Sequence, residues 1–195
     1  IFKGEAGVDT LDYRNSAAIS ADFSTGVVTI SGSGEVDNFT GIEAIVGSFG
    51  ADAIQGSNSV QTLTGSAGSD TLTGAGGADI FAYVAPSDGE VRTTNGSVGS
   101  NGGDVIADFV SGQDKISIES AGFSLTSLSD GVNFEVISAG YDGTNATSSD
   151  FAASAPVLIY SQSDAALIYD DNGTTAGYTV LLNNSVSGGN DIIAT

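Results

Sequence analysis

The 195-residue sequence has no cysteine and no histidine, and it has only 4 basic residues against 24 acidic ones. The absence of cysteine excludes disulfide bonds, thiolate metal sites and cysteine nucleophiles. Because histidine is absent as well, most zinc sites and catalytic triads are also excluded. The metal-binding groups that remain are the oxygen atoms of carboxylates and backbone carbonyls, which prefer hard cations.

The net charge of −20 means that a compact, metal-free chain would repel itself, and bound cations would relieve that repulsion. The same field repels phosphate backbones and anionic lipids, so we expect no nucleic-acid partner and no membrane-surface partner. The sequence has no apolar run of about 18 residues and no basic-then-apolar leader, so we expect no membrane insertion. Since the sequence starts at Ile1 within repeat-like residues, we expect it to be part of a longer product.

The 2 prolines, the 28 glycines and the lack of any helical stripe predict an all-β fold with a core, which the 40% apolar content can supply. Two strands are predicted around a Ser-Thr-Gly turn near the N-terminus, at 17–23 and 26–31. A Gly/Ser/Asn-rich loop follows at 87–103. Later strands are predicted at 115–119, 132–138, 157–160, 165–169 and 178–182.

Residues 47–82 form four consecutive nine-residue blocks, GSFGADAIQ, GSNSVQTLT, GSAGSDTLT and GAGGADIFA. Each block has a turn of small residues, an acid or glutamine at its sixth position and a large apolar residue at its eighth. The sixth positions are Asp52, Gln61, Asp70 and Asp79, and the eighth positions are Ile54, Leu63, Leu72 and Phe81. If two blocks complete one coil, equivalent turns lie 18 residues apart, so Asp52 pairs with Asp70, Asp70 with Asp88, and Gln61 with Asp79.

The turns of these blocks predict calcium binding. Small residues let backbone carbonyls point inward, and the acid adds a carboxylate to the same pocket. Calcium accepts six to eight oxygen ligands in irregular geometry, whereas magnesium demands a tight octahedron.

The blocks resemble the calcium-binding G-G-x-G-x-D-x-U-x motif of repeats-in-toxin (RTX) proteins, with Ser or Ala often at the second position. The resemblance is strong over 47–82 and weaker over 4–12 (GEAGVDTLD) and 32–46. GADIFAYV and DVIADFVSGQDKISI are similar to the junction between RTX coils and the C-terminal cap of secreted proteases, epimerase modules and adhesins. The tail NNSVSGGNDIIAT is similar to the uncleaved C-terminal signals of type I secretion.

The resemblance implies a parallel β-roll, a calcium-binding nonapeptide solenoid, with a C-terminal β-rich capping region. Residues 1–46 are then degenerate RTX-like coils with a β insertion. Residues 47–88 form the calcium-binding β-roll. Residues 89–195 form the C-terminal β cap, which includes the secretion signal and protects the end of the stack.

In the RTX family, each ion lies between two turns on the same side of the stack. The first turn supplies the carbonyls of its positions two and four and its acid. The second turn supplies the carbonyls of its positions one and three and its acid. A first site is thereby assigned to Ser48, Gly50, Asp52, Gly65, Ala67 and Asp70. A second is assigned to Ser66, Gly68, Asp70, Tyr83, Ala85 and Asp88. On the other side, Ser57, Ser59 and Gln61 face Gly74, Gly76 and Asp79, and we expect a weak or empty site because Gln61 is neutral. The last assignment joins Ala75, Gly77 and Asp79 to Asp104 or Asp108.

Some acids allow two interpretations. Asp9 fits a plain turn as well as a calcium site. Asp170, Asp171 and Asn172 could form a second kind of calcium loop, but an Asp-Asn-Gly hairpin turn is the favoured interpretation. Adjacent acids on a strand point to opposite faces, so we expect no glycosidase chemistry and no enzymatic activity.

The expected function is that of a module bound to several calcium ions, largely unfolded without them and folding outside the cell after passage through the type I secretion machinery. The first hypothesis places it at the C-terminus of a large secreted bacterial surface protein, an adhesin or surface-layer protein. The alternative is the secretion and folding module of an exported protease, lipase or polysaccharide epimerase. Two further candidate interactions are binding of a cell-surface glycan, bridged through calcium, and self-association of the chain.

Overall fold

The computed structural model describes residues 1–92, 103–125, 134–138, 140–141, 156–170, 178–183 and 191–195. Over these residues the chain forms β-strands and a short 3₁₀ helix, Pro86–Asp88, so the predicted all-β class is confirmed. None of the described helical structure is long and apolar enough to cross a membrane. The strands are β1 (Phe2–Lys3), β2 (Thr10–Asp12), β3 (Ile19–Asp22), β4 (Val27–Ile30), β5 (Val36–Thr40), β6 (Ala44–Val46), β7 (Ala53–Gln55), β8 (Thr62–Thr64), β9 (Thr71–Thr73), β10 (Ile80–Tyr83), β11 (Glu90–Arg92), β12 (Val105–Ile106), β13 (Lys115–Ile118), β14 (Phe134–Ile137), β15 (Val157–Ser161), β16 (Ala166–Asp170), β17 (Tyr178–Asn183) and β18 (Ile192–Ala194).

A six-stranded sheet has the order β18-β13-β10-β8-β6-β2, and all of its neighbours are parallel. One apolar residue per strand stands in register across it, which places a continuous apolar column on the inner face. The column consists of Leu11, Ile45, Leu63, Phe81, Ile116 and Ile192. All six side chains are buried.

A seven-stranded mixed sheet has the order β1-β5-β4-β3-β7-β9-β12. Strands β3, β4 and β5 are antiparallel neighbours, whereas β3, β7, β9 and β12 run parallel to one another. Its inner column consists of Ala21, Ile54, Leu72 and Ile106. The columns of the two sheets meet in one hydrophobic core.

The nine-residue blocks supply strands to these two sheets in alternation. Strands β6, β8 and β10 belong to the six-stranded sheet, and β7 and β9 belong to the seven-stranded sheet. Strands 18 residues apart are therefore parallel neighbours, as in the pairs Ile45 with Leu63 and Ile54 with Leu72. This agrees with the pairing expected from the repeat.

A five-stranded mixed sheet has the order β11-β17-β16-β15-β14, with β14 and β15 parallel and the other neighbours antiparallel. Leu158, Leu167 and Leu181 join the main core from one face of this sheet. Val157, Ile159 and Ile168 pack in a second cluster on the other face. The sheet is thus covered by apolar side chains on both faces, and it packs against the first two sheets.

The strand predictions agree with the structure within one or two residues at each end. The predicted N-terminal hairpin is formed by β3 and β4. The region expected to be a cap divides, however, because β12, β13 and β18 extend the two repeat-containing sheets while β11 and β14 to β17 form the third sheet. Apolar residues in register with the existing columns explain why these later strands join them.

Candidate metal centre

An acid immediately precedes most strands of the two repeat-containing sheets, and its carboxylate binds the backbone of the neighbouring strand's turn. In the seven-stranded sheet, Oδ1 of Asp52 accepts the amide hydrogen of Ile19 at 2.7 Å. Oδ1 of Asp70 accepts the amide hydrogen of Asp52 at 2.7 Å. Oδ1 of Asp104 accepts the amide hydrogen of Asp70 at 3.0 Å. We call Asp52, Asp70 and Asp104 the first acid row.

A second acid row runs along the six-stranded sheet. Its members Glu43, Asp79 and Asp114 accept the amide hydrogens of Asp9, Gln61 and Asp79, respectively, at 3.1, 2.8 and 3.0 Å. The repeated carboxylate-to-amide contacts tie one turn to the next along each edge. Charge-assisted bonds of this kind are stronger than those between neutral groups.

The structure brings together the turns that were expected to share ions. Gly65 O lies 2.5 Å from the position that a Cβ on Gly47 would occupy, and Gly50 O lies 2.6 Å from that position on Gly68. On the other side, Gly74 O and Ser59 O approach Gly56 and Gly77 in the same way, at 2.3 and 2.6 Å. Side chains at these glycines would therefore collide with carbonyls of the adjacent turn, which explains why the turns are built from the smallest residue.

Five of the other assigned residues are placed as follows. The amide and hydroxyl groups of Ser48 both bind the Asp52 carboxylate. Ser66 and Ala75 occupy the second position of their blocks with positive φ angles of 70° and 66°. Gly76 lies against Asn58 of the preceding turn. Ala67 lies in the buried-to-half-buried turn between β8 and β9.

Asp88 does not continue the first acid row, although the 18-residue period assigns it there. It lies in the 3₁₀ helix, and its carboxylate accepts the amide hydrogens of Val84 and Ala85 at 2.7 and 3.1 Å. Asp104 takes the place next to Asp70, because β12 rather than a strand directly after residue 88 pairs with β9. The period fails here because the next acid that binds the Asp70 amide, Asp104, comes 34 residues after Asp70 rather than 18.

Asp79 contacts Gln61, as the 18-residue period predicts, but among the described residues it forms no hydrogen bond with Asp104 or Asp108. Its amide hydrogen goes to Asp114, which the sequence reasoning missed. Asp108 instead accepts the amide hydrogens of Gly74 and Ala75, both at 2.8 Å. The available signal was the position of Asp114 directly before the predicted strand at 115–119, which repeats the acid-before-strand pattern of the blocks.

Three carbonyls assigned as ligands already have protein partners, and one of them, Ala85 O, accepts the amide hydrogen of Asp88 at 3.0 Å. Tyr83 O accepts the amide hydrogen of Glu119 at 2.9 Å within the pairing of β10 and β13. Gly77 O accepts a hydrogen bond from Nε2 of Gln113. The side-chain hydroxyl of Tyr83, which sequence reasoning did not consider, faces the first acid row instead.

Three buried oxygen atoms in this region have no hydrogen bond of normal geometry among the described residues: Oδ2 of Asp70, Oδ2 of Asp104 and the hydroxyl oxygen of Tyr83. The Tyr83 hydroxyl and the Asp104 carboxyl nevertheless lie close enough for each to shift the other's pKa. The three residues are 1%, 0% and 1% exposed. Unpartnered polar atoms at this depth are rare in folded proteins and call for an explanation such as a bound ion.

The electrostatics of these groups agree with their isolation from water. Burial raises the pKa of the Asp70 carboxyl to about 7, with added contributions from the charges of Asp52 and Asp88. Burial and the charge of Asp70 raise the pKa of Asp104 well above its usual value. Burial also raises the pKa of the Tyr83 hydroxyl, and Asp104 and Asp70 add to the effect. All three shifts disfavour negative charge in a place where no positive group of the described residues balances it.

Ion pairs among the described residues lie elsewhere. Arg14 pairs with Asp12 on the surface at 2.6 Å, and Nζ of Lys115 pairs with Oδ1 of Asp191 at 3.1 Å. Asp191 directly precedes β18 and also accepts hydrogen bonds from Ser111 and Gly112, so a lysine balances the acid at that end of the six-stranded sheet. The first acid row has no such lysine or arginine partner in the described ranges.

In the described part of the chain, no three acidic side chains meet in a group suited to holding a metal. A cation site at the acid rows would therefore combine two carboxylates with carbonyl or hydroxyl oxygens. This donor set fits calcium, which accepts neutral oxygens alongside carboxylates.

The Gln61 turn is satisfied internally. Ser57 donates its amide hydrogen to Oε1 of Gln61 at 2.9 Å, and Nε2 of Gln61 donates to Oγ of Ser57 at 2.9 Å. The side chain thus reproduces with a neutral amide the contact that Asp52 makes with Ser48. This turn needs no cation to balance its own side chain.

Asp9 and Asp170, the acids for which the sequence allowed two interpretations, are placed as follows. Oδ2 of Asp9 accepts the amide hydrogen of Glu5 at 2.9 Å, which is a turn contact. Asp170 is buried and accepts a hydrogen bond from the Tyr141 hydroxyl. Strands β16 and β17 are antiparallel, as a hairpin requires, while Asp171 and Asn172 lie outside the described residues.

A scan of the chain against protein-family models gives no match, and a search of curated proteins finds no significant relative.

Proposed function

We propose that this chain is a calcium-binding module of the RTX type, in which the acid rows hold several calcium ions. The observation that supports this most strongly is the pair of buried, unpartnered oxygens on Asp70 and Asp104. An ionised carboxylate buried without a counter-charge is strongly destabilising, so the fold needs either protonation or a cation at this place. At neutral pH and with a net charge of −20, a divalent cation meets that need.

The residues that would hold the ions are those of adjacent turns. Asp52 and Asp70 supply carboxylates between the turns at 47–52 and 65–70, where Gly50 O and Gly65 O also approach the neighbouring turn. Asp70 and Asp104 supply carboxylates at the next place in the first acid row. Calcium supplies two positive charges there, which balance the carboxylates and keep them ionised.

The finer architecture that we propose is a parallel β-roll capped at its C-terminal end. The alternation of β6 to β10 between two sheets supports it, as do the parallel pairs at 18-residue spacing. The mixed five-stranded sheet, packed on the main core through Leu158, Leu167 and Leu181, is the proposed cap. The tail contributes β18, which pairs with β13.

In this proposal, folding depends on calcium. Each nine-residue block buries one large side chain, while its turns place carboxylates close together, so apolar burial has to overcome both chain entropy and repulsion. Ion binding to the folded state alone shifts the equilibrium by mass action. A chain of this kind stays unfolded at low calcium, passes through a type I secretion channel and folds outside.

The proposed setting is the C-terminal part of a large bacterial surface protein, an adhesin or surface-layer protein. The alternative is the secretion and folding module of an exported protease, lipase or polysaccharide epimerase. The coding sequence before Ile1 distinguishes them: tandem β domains favour the surface protein, and a zinc-binding or nucleophile motif favours the enzyme. We propose no catalytic role for this chain itself.

The test of calcium-dependent folding is a calcium titration followed by circular dichroism and calorimetry, starting from protein treated with EDTA. We expect the β signal and a cooperative melting transition to appear only as calcium is added. Magnesium at the same concentration serves as the control and should restore much less structure. A strong β signal and a cooperative melt that survive EDTA unchanged would refute the proposal.

A further inference from the structure

The Tyr83 hydroxyl is an unusual group for the interior of this chain. Its oxygen is buried and has no hydrogen-bond partner of normal geometry among the described residues, although it lies close enough to the Asp104 carboxyl for each group to shift the other's pKa. A buried phenol normally finds a hydrogen-bond partner. Three unsatisfied oxygens from separate segments of the chain point to a shared ligand.

The backbone around this group is fixed by pairing on several sides. Tyr83 lies at the end of β10, where Tyr83 pairs with Ile118 of β13. Asp70 directly precedes β9, and Asp104 directly precedes β12, which pairs with β9. The amide hydrogen of Asp104 also binds Leu181 O at 3.0 Å, which ties this segment to the five-stranded sheet. Because these strands hold the three side chains in place, they form a pre-organised site.

We propose that the phenolic oxygen of Tyr83 is a direct ligand of the calcium ion held by Asp70 and Asp104. This inference rests on the proposed calcium binding and identifies a ligand that the nine-residue motif does not contain. A neutral phenol adds an oxygen donor without adding charge to a place that already carries two carboxylates. This ion therefore differs from the ion between Asp52 and Asp70, whose neutral ligands are backbone carbonyls.

The decisive experiment compares the wild-type protein with Tyr83→Phe, which removes only the hydroxyl. Calcium affinity is measured by isothermal titration, and Eu³⁺ is used as a substitute ion, excited directly. The decay of its emission in H₂O and D₂O counts the water molecules on each bound ion. In the variant we expect the calcium affinity of one class of site to fall about tenfold. We expect about one additional water molecule on the corresponding europium ion, because water replaces the lost ligand.

Tyr13→Phe is the matched control. The Tyr13 hydroxyl also contacts a carboxylate, donating to Oδ2 of Asp37 at 3.0 Å, but that carboxylate does not belong to the first acid row. This control should change neither the affinity nor the water count. A loss of calcium affinity in Tyr83→Phe without an additional water molecule would mean that Tyr83 positions Asp104, and direct ligation would be overturned. An unchanged calcium affinity would also overturn direct ligation.

A measurement on the wild-type protein covers the case in which Tyr83→Phe does not fold. Calcium binding should change the ultraviolet difference spectrum of tyrosine, and bound Tb³⁺ should emit when tyrosine is excited. If calcium binds and folds the chain but neither tyrosine signal appears, the role of Tyr83 is refuted while the proposed function stands. If the wild-type protein binds no calcium at all, the proposed function itself fails.

Discussion

The carboxylate of Asp104 accepts a hydrogen bond from the backbone amide of Asp70, with 3.0 Å between Oδ1 and N, although 34 residues separate the two. Asp70 makes the same contact with Asp52, which is 18 residues away. The same interaction is thus produced once by the regular repeat and once by a segment that returns after a loop. Asp70 lies between these two contacts and is shared by both.

The shared position of Asp70 predicts that its loss is more damaging than the loss of Gln61. Asp70→Ala leaves the amide of Asp52 without its buried acceptor, which costs about 1–3 kcal/mol, and also removes an ion ligand. Gln61→Ala removes only contacts within its own turn. In saturating calcium, Asp70→Ala should lower both the melting temperature and the calcium affinity more than Gln61→Ala does. Equal, small effects would show that the ligand assignment is wrong.

The positive φ of Ala75 predicts a stabilising substitution. Ala75 has φ of 66°, a conformation that favours glycine, and its side chain is exposed. Ala75→Gly relieves this strain while retaining the amide that binds Asp108, so we expect a gain of about 1 kcal/mol in calcium-bound stability. The measurement is chemical denaturation in saturating calcium.

Ala51→Gly is the control for that substitution. Ala51 is also exposed in a repeat turn, but its φ is not positive. Glycine there increases only the freedom of the unfolded chain, so we expect a loss of stability of about 0.5–1 kcal/mol. If both variants change stability in the same direction, backbone strain at Ala75 is not significant.

The raised pKa of Asp70 predicts that acid stabilises the calcium-free protein. Burial raises the pKa of this carboxyl to about 7 from its usual 3.8, so the folded state binds a proton that the unfolded state releases. The pKa values of Asp52, Asp79 and Asp88 are raised in the same direction, also by burial. The stabilising effect is complete below the unfolded value and is lost as pH rises through the folded value.

Circular dichroism of calcium-depleted protein at about pH 5 and about pH 8 tests this dependence, and we expect the folded fraction, measured by the β signal, to be larger in acid. In saturating calcium the difference should shrink or reverse, because protons compete with the ion for the same carboxylates. A calcium-free protein that is more stable at pH 8 would contradict the buried, unneutralised acids of the first acid row.

Much of the fold could be predicted from the nine-residue period. The period marks one large apolar residue per block, and the columns through Leu63 and Leu72 contain those residues in the expected register. Alternating sequence also located the later strands. These features can be predicted from nearby residues alone, because a strand with one apolar face is buried with that face toward the core.

The candidate site was less predictable at its C-terminal end. Asp88 fits the period but lies in a 3₁₀ helix, while Asp104 and Asp114, which do not fit it, continue the two acid rows. The repeat period stops after β10, and the number of residues before β12 does not reveal which later acid lies beside which turn. The pairing of β12 with β9 and of β13 with β10 determines which acid lies beside which turn.

The sequence by itself determined the class of fold and the alternation of turn and strand, because the period placed acids and apolar residues at fixed positions. Composition also left only oxygen atoms as ligands for the proposed metal sites. Only the tertiary structure decided which acids meet, and that the Tyr83 carbonyl is used in strand pairing while its hydroxyl faces Asp104. The physical reason is that burial and charge balance depend on neighbours distant in the sequence. Asp70 and Asp104 become a site only when parallel pairing removes both from water.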